Sequence, residues 1–120
     1  MKKVQAPYKS GIYIGEPMEE KGDKTLIKVL AVSKHPNQGD LHHPKSTDVP
    51  LFHERKALAE NEKVWVPTAL AQEYEGEVPD YKASLREALD RLEEKLKNEQ
   101  NEYGEKALKN IETLKQDYHL

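Results

Sequence analysis

Apolar and polar positions change their rhythm once along this chain. Up to about residue 33 they run with the period of strands. Gly11-Ile12-Tyr13-Ile14-Gly15 alternates and is rich in β-formers. Ile12 and Ile14 are expected on one face and Tyr13 on the other. Thr25-Leu26-Ile27-Lys28-Val29-Leu30-Ala31-Val32 is a long apolar run, as expected of a strand covered on much of both sides. Pro7 and the Ser10-Gly11 pair set off a short first strand, around Lys3 to Ala6. Glu19 to Asp23 makes a polar turn, with Gly22 able to take positive φ. Farther on, Arg55-Lys56-Ala57-Leu58-Ala59 and Lys63-Val64-Trp65-Val66 predict two more strands, with Glu60-Asn61-Glu62 as their turn. Pro67 ends the second of these, and Thr68 to Tyr74 predicts one turn of helix capped by Thr68. Five short, mostly antiparallel strands predict a small SH3-like or OB-like β-barrel.

After Gly76 and Pro79 the period lengthens. Tyr81, Leu85, Ala88, Leu89, Leu92 and Leu96 are spaced by three and four, one apolar stripe on a helix. Asp80 is a candidate N-cap. Ser84, with Glu87 three residues later, is a rival capping box one turn on. Asn98 to Asn101 breaks the pattern, and a second stripe follows: Tyr103, Ala107, Leu108, Ile111, Leu114 and Tyr118. A short polar link predicts that the two helices pack antiparallel. The expected fold class is therefore α+β. Residues 1–79 form the barrel, with a long loop at 34–54. Residues 80–120 form a helical hairpin, packed on the barrel or presenting a surface to a partner.

Composition narrows the function. The 120 residues carry 22 acids and 19 bases, a net charge of -3. A general nucleic-acid binder should show a basic excess. The balance is uneven, however: residues 1–56 carry +3, 57–79 carry -4 and 80–120 carry -2. No run approaches the ~20 apolar residues of a spanning helix. There is no cysteine, which excludes disulfides, thiolate metal sites, cysteine nucleophiles and a thioether-linked lipid. Lys2 and Lys3 are not followed by an apolar core, so no secretory signal is expected and the cytoplasm is the expected compartment.

One stretch stands apart: His35-Pro36-Asn37-Gln38-Gly39-Asp40-Leu41-His42-His43-Pro44-Lys45. It holds turn formers and three of the five histidines, and prolines recur at 36, 44 and 50. A loop longer than the usual two to six residues is often functional. His35, Asp40, His42 and His43, with His53 farther along, are candidate donors for zinc or another divalent ion. No HExxH spacing is present, and adjacent His42 and His43 point opposite ways in extended chain. The expectation is an ordered loop whose imidazoles hydrogen-bond to backbone, with no metal and no cofactor. The serines lack a G-x-S-x-G elbow, and Gly11 and Gly15 do not open a phosphate loop. The aromatic set Tyr8, Tyr13, Phe52, Trp65 and Tyr74 is packing or the wall of a peptide groove. Two other classes stay open: a small metal-dependent hydrolase built on the histidine loop, and a barrel that binds single-stranded nucleic acid.

The same residues resemble a known family. Ala6 to Glu16, His35 to Lys45, Asp48 to Ala59, Gly76 to Tyr81 and Ser84-Leu85-Arg86 are similar to kinase-associated protein B, over about residues 6–118. The resemblance implies a non-enzymatic activator of a sensor histidine kinase that feeds the sporulation phosphorelay of spore-forming Gram-positive bacteria. It implies an SH3-like barrel followed by helices. It carries no catalytic residue set. The family also includes proteins described as lipoproteins, whose anchor needs a cysteine that is missing here, so any membrane contact is expected through the kinase. Candidate partner contacts are Tyr13, His35, Gln38, Gly39, Asp40, Leu41, His42, His43, Phe52 and Trp65.

Overall fold

The computed structural model describes residues 2–38, 55–99 and 101–120. Five strands come first: β1 (Lys3–Tyr8), β2 (Gly11–Lys21), β3 (Lys24–Lys34), β4 (Lys63–Pro67) and β5 (Gln72–Tyr74). Two helices follow, α1 (Tyr81–Lys97) and α2 (Glu102–Asp117). The α+β class stands. The strands are longer than the sequence pattern predicts, because β2 and β3 continue as a two-stranded ribbon to the turn at Gly22.

The sheet is antiparallel in the order β4-β3-β2-β1-β5, and it is not closed. The SH3-like barrel expected from the strand count is therefore not confirmed. Only a short 3-10 turn, Thr68–Leu70, separates the two edge strands along the chain. Side chains bridge the opening instead of hydrogen bonds: Val4 and Ala6 of β1 meet Val64 and Val66 of β4 in one cluster with Ile27. Bulges in the β2–β3 ladder shift its register, so that both Tyr13 and Ile14 are buried although they are neighbours. Gly11 serves the same packing. A Cβ there would lie 2.6 Å from the Tyr13 hydroxyl.

Two local expectations are corrected. Arg55 to Ala59 is not a strand, because its amides are bonded to side chains rather than to a neighbouring strand, as described below. The fifth strand is Gln72–Tyr74, within the segment read as a helical turn, and it pairs with Lys3–Gln5. Thr68 caps nothing; its hydroxyl shares a 2.7 Å hydrogen bond with that of Thr25.

The helices begin where a side chain accepts their first free amides. Asp80 accepts from Ala83 N and starts α1, so Asp80 and not Ser84 is the cap. Asn101 accepts from Gly104 N at 2.8 Å and starts α2. Replacing Asp80 with alanine will cost about 1 kcal/mol. A urea midpoint unchanged by this substitution would show that the cap carries nothing.

Ser84 has another task. Its hydroxyl donates to Tyr81 O and accepts from Val32 N at 2.9 Å, pinning α1 to β3. Arg91 adds a second tie, donating to Ser33 O at 2.7 Å. Leu85 and Ala88 of α1 pack with Tyr13, Val29 and Val32 of the sheet. Leu89, Leu92 and Leu96 pack with Tyr103, Ala107 and Ile111 of α2. A bridge of 2.9 Å between Lys115 and Glu93 also links the helices. The Lys115 hydrogen bond lowers the Glu93 pKa, and the Glu93 hydrogen bond raises that of Lys115.

Candidate functional site

The strands and helices converge on two short segments, His35–Gln38 and Arg55–Ala59, which flank the histidine-rich loop. Neither segment belongs to the sheet, so its polar backbone needs other partners. The partners are side chains from all over the chain. Gln38 acts as a double clip: its Oε1 accepts from Arg55 N at 2.9 Å and its Nε2 donates to Arg55 O at 3.0 Å. Tyr118 Oη accepts from Ala57 N at 2.9 Å. Tyr13 Oη accepts from Leu58 N at 3.2 Å. Tyr81 Oη donates to Leu58 O at 2.5 Å. Glu62 Oε1 accepts from Ala59 N. On the other stem, Tyr103 Oη donates to Gln38 O at 3.0 Å, and Ser10 Oγ accepts from Asn37 N at 3.1 Å.

His35 lies at the centre of this clasp and is 1% exposed. Its Nδ1 is 2.9 Å from Pro36 O and its Nε2 is 3.1 Å from Tyr118 Oη. A carbonyl can only accept, so Nδ1 carries the proton and Nε2 presents a lone pair. The Tyr118 hydroxyl then donates to Nε2 while it accepts from Ala57 N. Every atom in that chain has a partner of the right kind only if the imidazole is neutral. Burial pushes the His35 pKa down to about 4, against a smaller opposing pull from Pro36 O. Burial likewise raises the Tyr13 pKa to about 12 and that of Tyr81 still further, so both phenols keep their protons.

Beside the clasp lies an open cleft of about 310 Å³, lined by Tyr8, Lys9, Ser10, Pro36, Arg55 and Leu58 among others. Lys9 sits 5.5 Å above the centre of the Tyr8 ring.

The candidate residues separate into three sets. Tyr13, His35 and Gln38 are inside the clasp, where they hold the loop stems. Trp65 stands on the outer surface, 39% exposed, and Tyr74 donates its hydroxyl to Glu77 O. Gly39, Asp40, Leu41, His42, His43, Phe52 and His53 lie outside the described residues. The aromatic set does not form one groove: Tyr8 borders the cleft and Trp65 faces outward from β4. His35 has one ring nitrogen against a backbone carbonyl and the other against the Tyr118 hydroxyl. Among the described residues no three histidine or acidic groups come together as a metal site. Sequence reading did not single out Tyr81, Tyr103 and Tyr118 as parts of the loop. They fell on helical stripes and counted as core. The signal was their phenol oxygens, which need partners when buried.

These features define a small α+β protein whose sheet and helices jointly hold the segments on either side of residues 39–54. A family model described as Kinase associated protein B matches residues 8–119. The Kinase-associated lipoprotein B of Bacillus subtilis (strain 168) is 48% identical over 115 residues, covering 96% of this chain and 90% of that protein. The crystal structure of kinase-associated protein B from Bacillus cereus superposes with a TM-score of 0.87 at 38% identity, covering 99% of this chain and 96% of that one. The chain belongs to the kinase-associated protein B family.

Proposed function

We propose that this protein is a non-enzymatic accessory factor that activates a sensor histidine kinase feeding the sporulation phosphorelay, by protein–protein binding. The observation that carries the reading is the clasp, in a chain whose family is named for kinase association. Tyrosine hydroxyls from β2, α1 and both ends of α2 hold the segments on both sides of residues 39–54, and so fix where that stretch leaves and rejoins the fold. Fixed ends lower the entropic cost of binding through the stretch between them. The region 1–79 serves as the platform and the 80–120 hairpin as the brace that holds its loop.

An activator must bind one conformation of the kinase better than another. Raising an active population from about 1% to half requires roughly 2.7 kcal/mol of differential binding. No helix among the described residues is long and apolar enough to cross a membrane, and the chain has no cysteine for a lipid. On this reading the protein works beside the kinase, at the inner face of the membrane.

The test is autophosphorylation of the purified cytoplasmic part of the kinase, with and without saturating protein. A dose-dependent rise supports direct activation. Asp40→Ala and His42→Ala are each expected to weaken binding about tenfold, roughly 1.4 kcal/mol, with unchanged melting temperature. Unchanged affinity in both variants would remove the loop as the contact.

A further inference from the structure

The outward face of the β3–β4 ladder has an arrangement that neither the clasp nor the loop uses. Three residue pairs face out from it: Lys24 with Pro67, Leu26 with Trp65, and Lys28 with Lys63. Their neighbours Thr25, Ile27, Val29, Val64 and Val66 are buried on the inner face. Register also fixes where the backbone points. Val29 N bonds to Glu62 O at one end of the ladder, and Thr68 N to Asp23 O at the other. Hydrogen-bonded pairs alternate along an antiparallel ladder, so Ile27/Val64 and Thr25/Val66 exchange the bonds between. Leu26/Trp65 and Lys28/Lys63 are then the non-bonded pairs, whose side chains come closest. The amides and carbonyls of Lys63 and Trp65 point away from β3, to an edge with which no strand among the described residues pairs.

That edge is unusual in its charge. Lys28 and Lys63 stand directly opposite each other, a like-charged pair that weakens a sheet. None of Lys24, Lys28 and Lys63 has an ion-pair partner among the described residues. On the β2 side Glu16 faces Lys28 but is paired with Lys3 at 3.5 Å, and Glu19 faces Leu26. The strip nearest the open edge is therefore apolar at its centre and positive around it. Lysine at an edge keeps copies of one chain from pairing edge to edge. The same charge favours an acidic strand.

We infer that the β4 edge and the Trp65–Leu26 face are a docking strip for an acidic, extended segment of a partner protein, which joins the sheet beside β4. This deepens the accessory reading and rests on it. Backbone groups of Lys63 and Trp65 would bond to the incoming strand, and Pro67, with no N–H, would end the pairing. Alternate side chains of a strand share a face, so a segment with acids at every second position would set them over the lysines.

Trp65 is the sole tryptophan, so its fluorescence reports on this strip directly. The full chain is titrated with a short acetylated peptide alternating glutamate and valine. A peptide of the same composition in blocks, phosphatidylglycerol vesicles and a single-stranded oligonucleotide serve as comparisons. The expected result is a saturable blue shift with the alternating peptide, weaker with the others. Lys63→Glu converts the like-charged pair into an opposite one. It should raise the melting temperature by about 2–5 °C while weakening the peptide at least about tenfold. No saturable response to the alternating peptide, equal binding by Lys63→Glu, or tighter binding of vesicles or oligonucleotide would each overturn the inference. A kinase that responds while the strip stays silent removes the strip alone. A strip that binds while the kinase is unaffected removes the accessory reading.

Discussion

Acidification from about pH 7 to about pH 4.5 will weaken the fold steeply, and much of the loss will belong to His35. In the unfolded chain this imidazole takes up its proton near the ordinary value of 6.5, whereas the folded protein keeps it neutral down to about 4. Between those values the unfolded state binds more protons, so stability falls as pH falls. The gap corresponds to on the order of 3 kcal/mol. Below the lower value both states are protonated, and this group adds no further loss. Protonation inside the clasp has a clear cost: Nε2 would carry a hydrogen facing a hydroxyl that already donates to it. Glu93 works in a different window. Its pKa is lowered by Lys115, so its contribution is intact above its ordinary 4.5 and goes only as pH falls further. Urea unfolding at several pH values, for the native chain and for His35→Gln, separates the two. The native chain should lose stability between 6.5 and 4.5 and the variant should lose much less there. Parallel curves would refute the assignment.

Tyr118→Phe will cost about 2–3 kcal/mol although it removes a single oxygen. That oxygen serves Ala57 N and His35 Nε2 together. Its loss leaves a partly buried donor and a buried acceptor unsatisfied, at about 1–3 kcal/mol for such a group. The ring itself stays, packed against the core between sheet and α1 and edge-on to His35 with ring centres 6.0 Å apart. The effect is thus a test of the hydroxyl and not of the packing. Hydrogen exchange should accelerate at Ala57 and leave the amides of the β2–β3 ribbon unchanged. A uniform loss of protection, or none, would mean that the hydroxyl does not hold the stem.

The elements that repeat a simple period were legible in the sequence. Both helices, their polar link and four of the five strands follow from spacing and from the turn formers between them. The failures share a physical cause. Arg55 to Ala59 has the composition of a strand, but its amides are captured by Gln38, Tyr118, Tyr13 and Glu62. Those captors lie up to 61 residues away, and no local pattern announces them. Gln72–Tyr74 has neither β-branched residues nor a clear alternation; it is a strand because the edge of β1 is within reach. The barrel expectation failed on closure, which strand number alone does not decide. Of the candidate site, the irregular loop expected at 34–54 lies mostly outside the described residues, and His35 and Gln38 at its start are found inside the clasp. The clasp was not legible, because Tyr81, Tyr103 and Tyr118 fit the helical stripes as well as leucine would.

The clasp also sets an order of events during synthesis. The β1–β2 and β2–β3 hairpins pair residues close in sequence and can form early. The loop stems cannot be completed then, since Tyr81, Tyr103 and Tyr118 have not yet been made. Only after translation has passed residue 118, and α2 has docked on α1, does Ala57 find its acceptor. A nascent or partly opened chain would carry a formed sheet while Ala57 N and Leu58 O still lacked their tyrosine partners. The bonding of segment 55–59 would then report that the helices are in place.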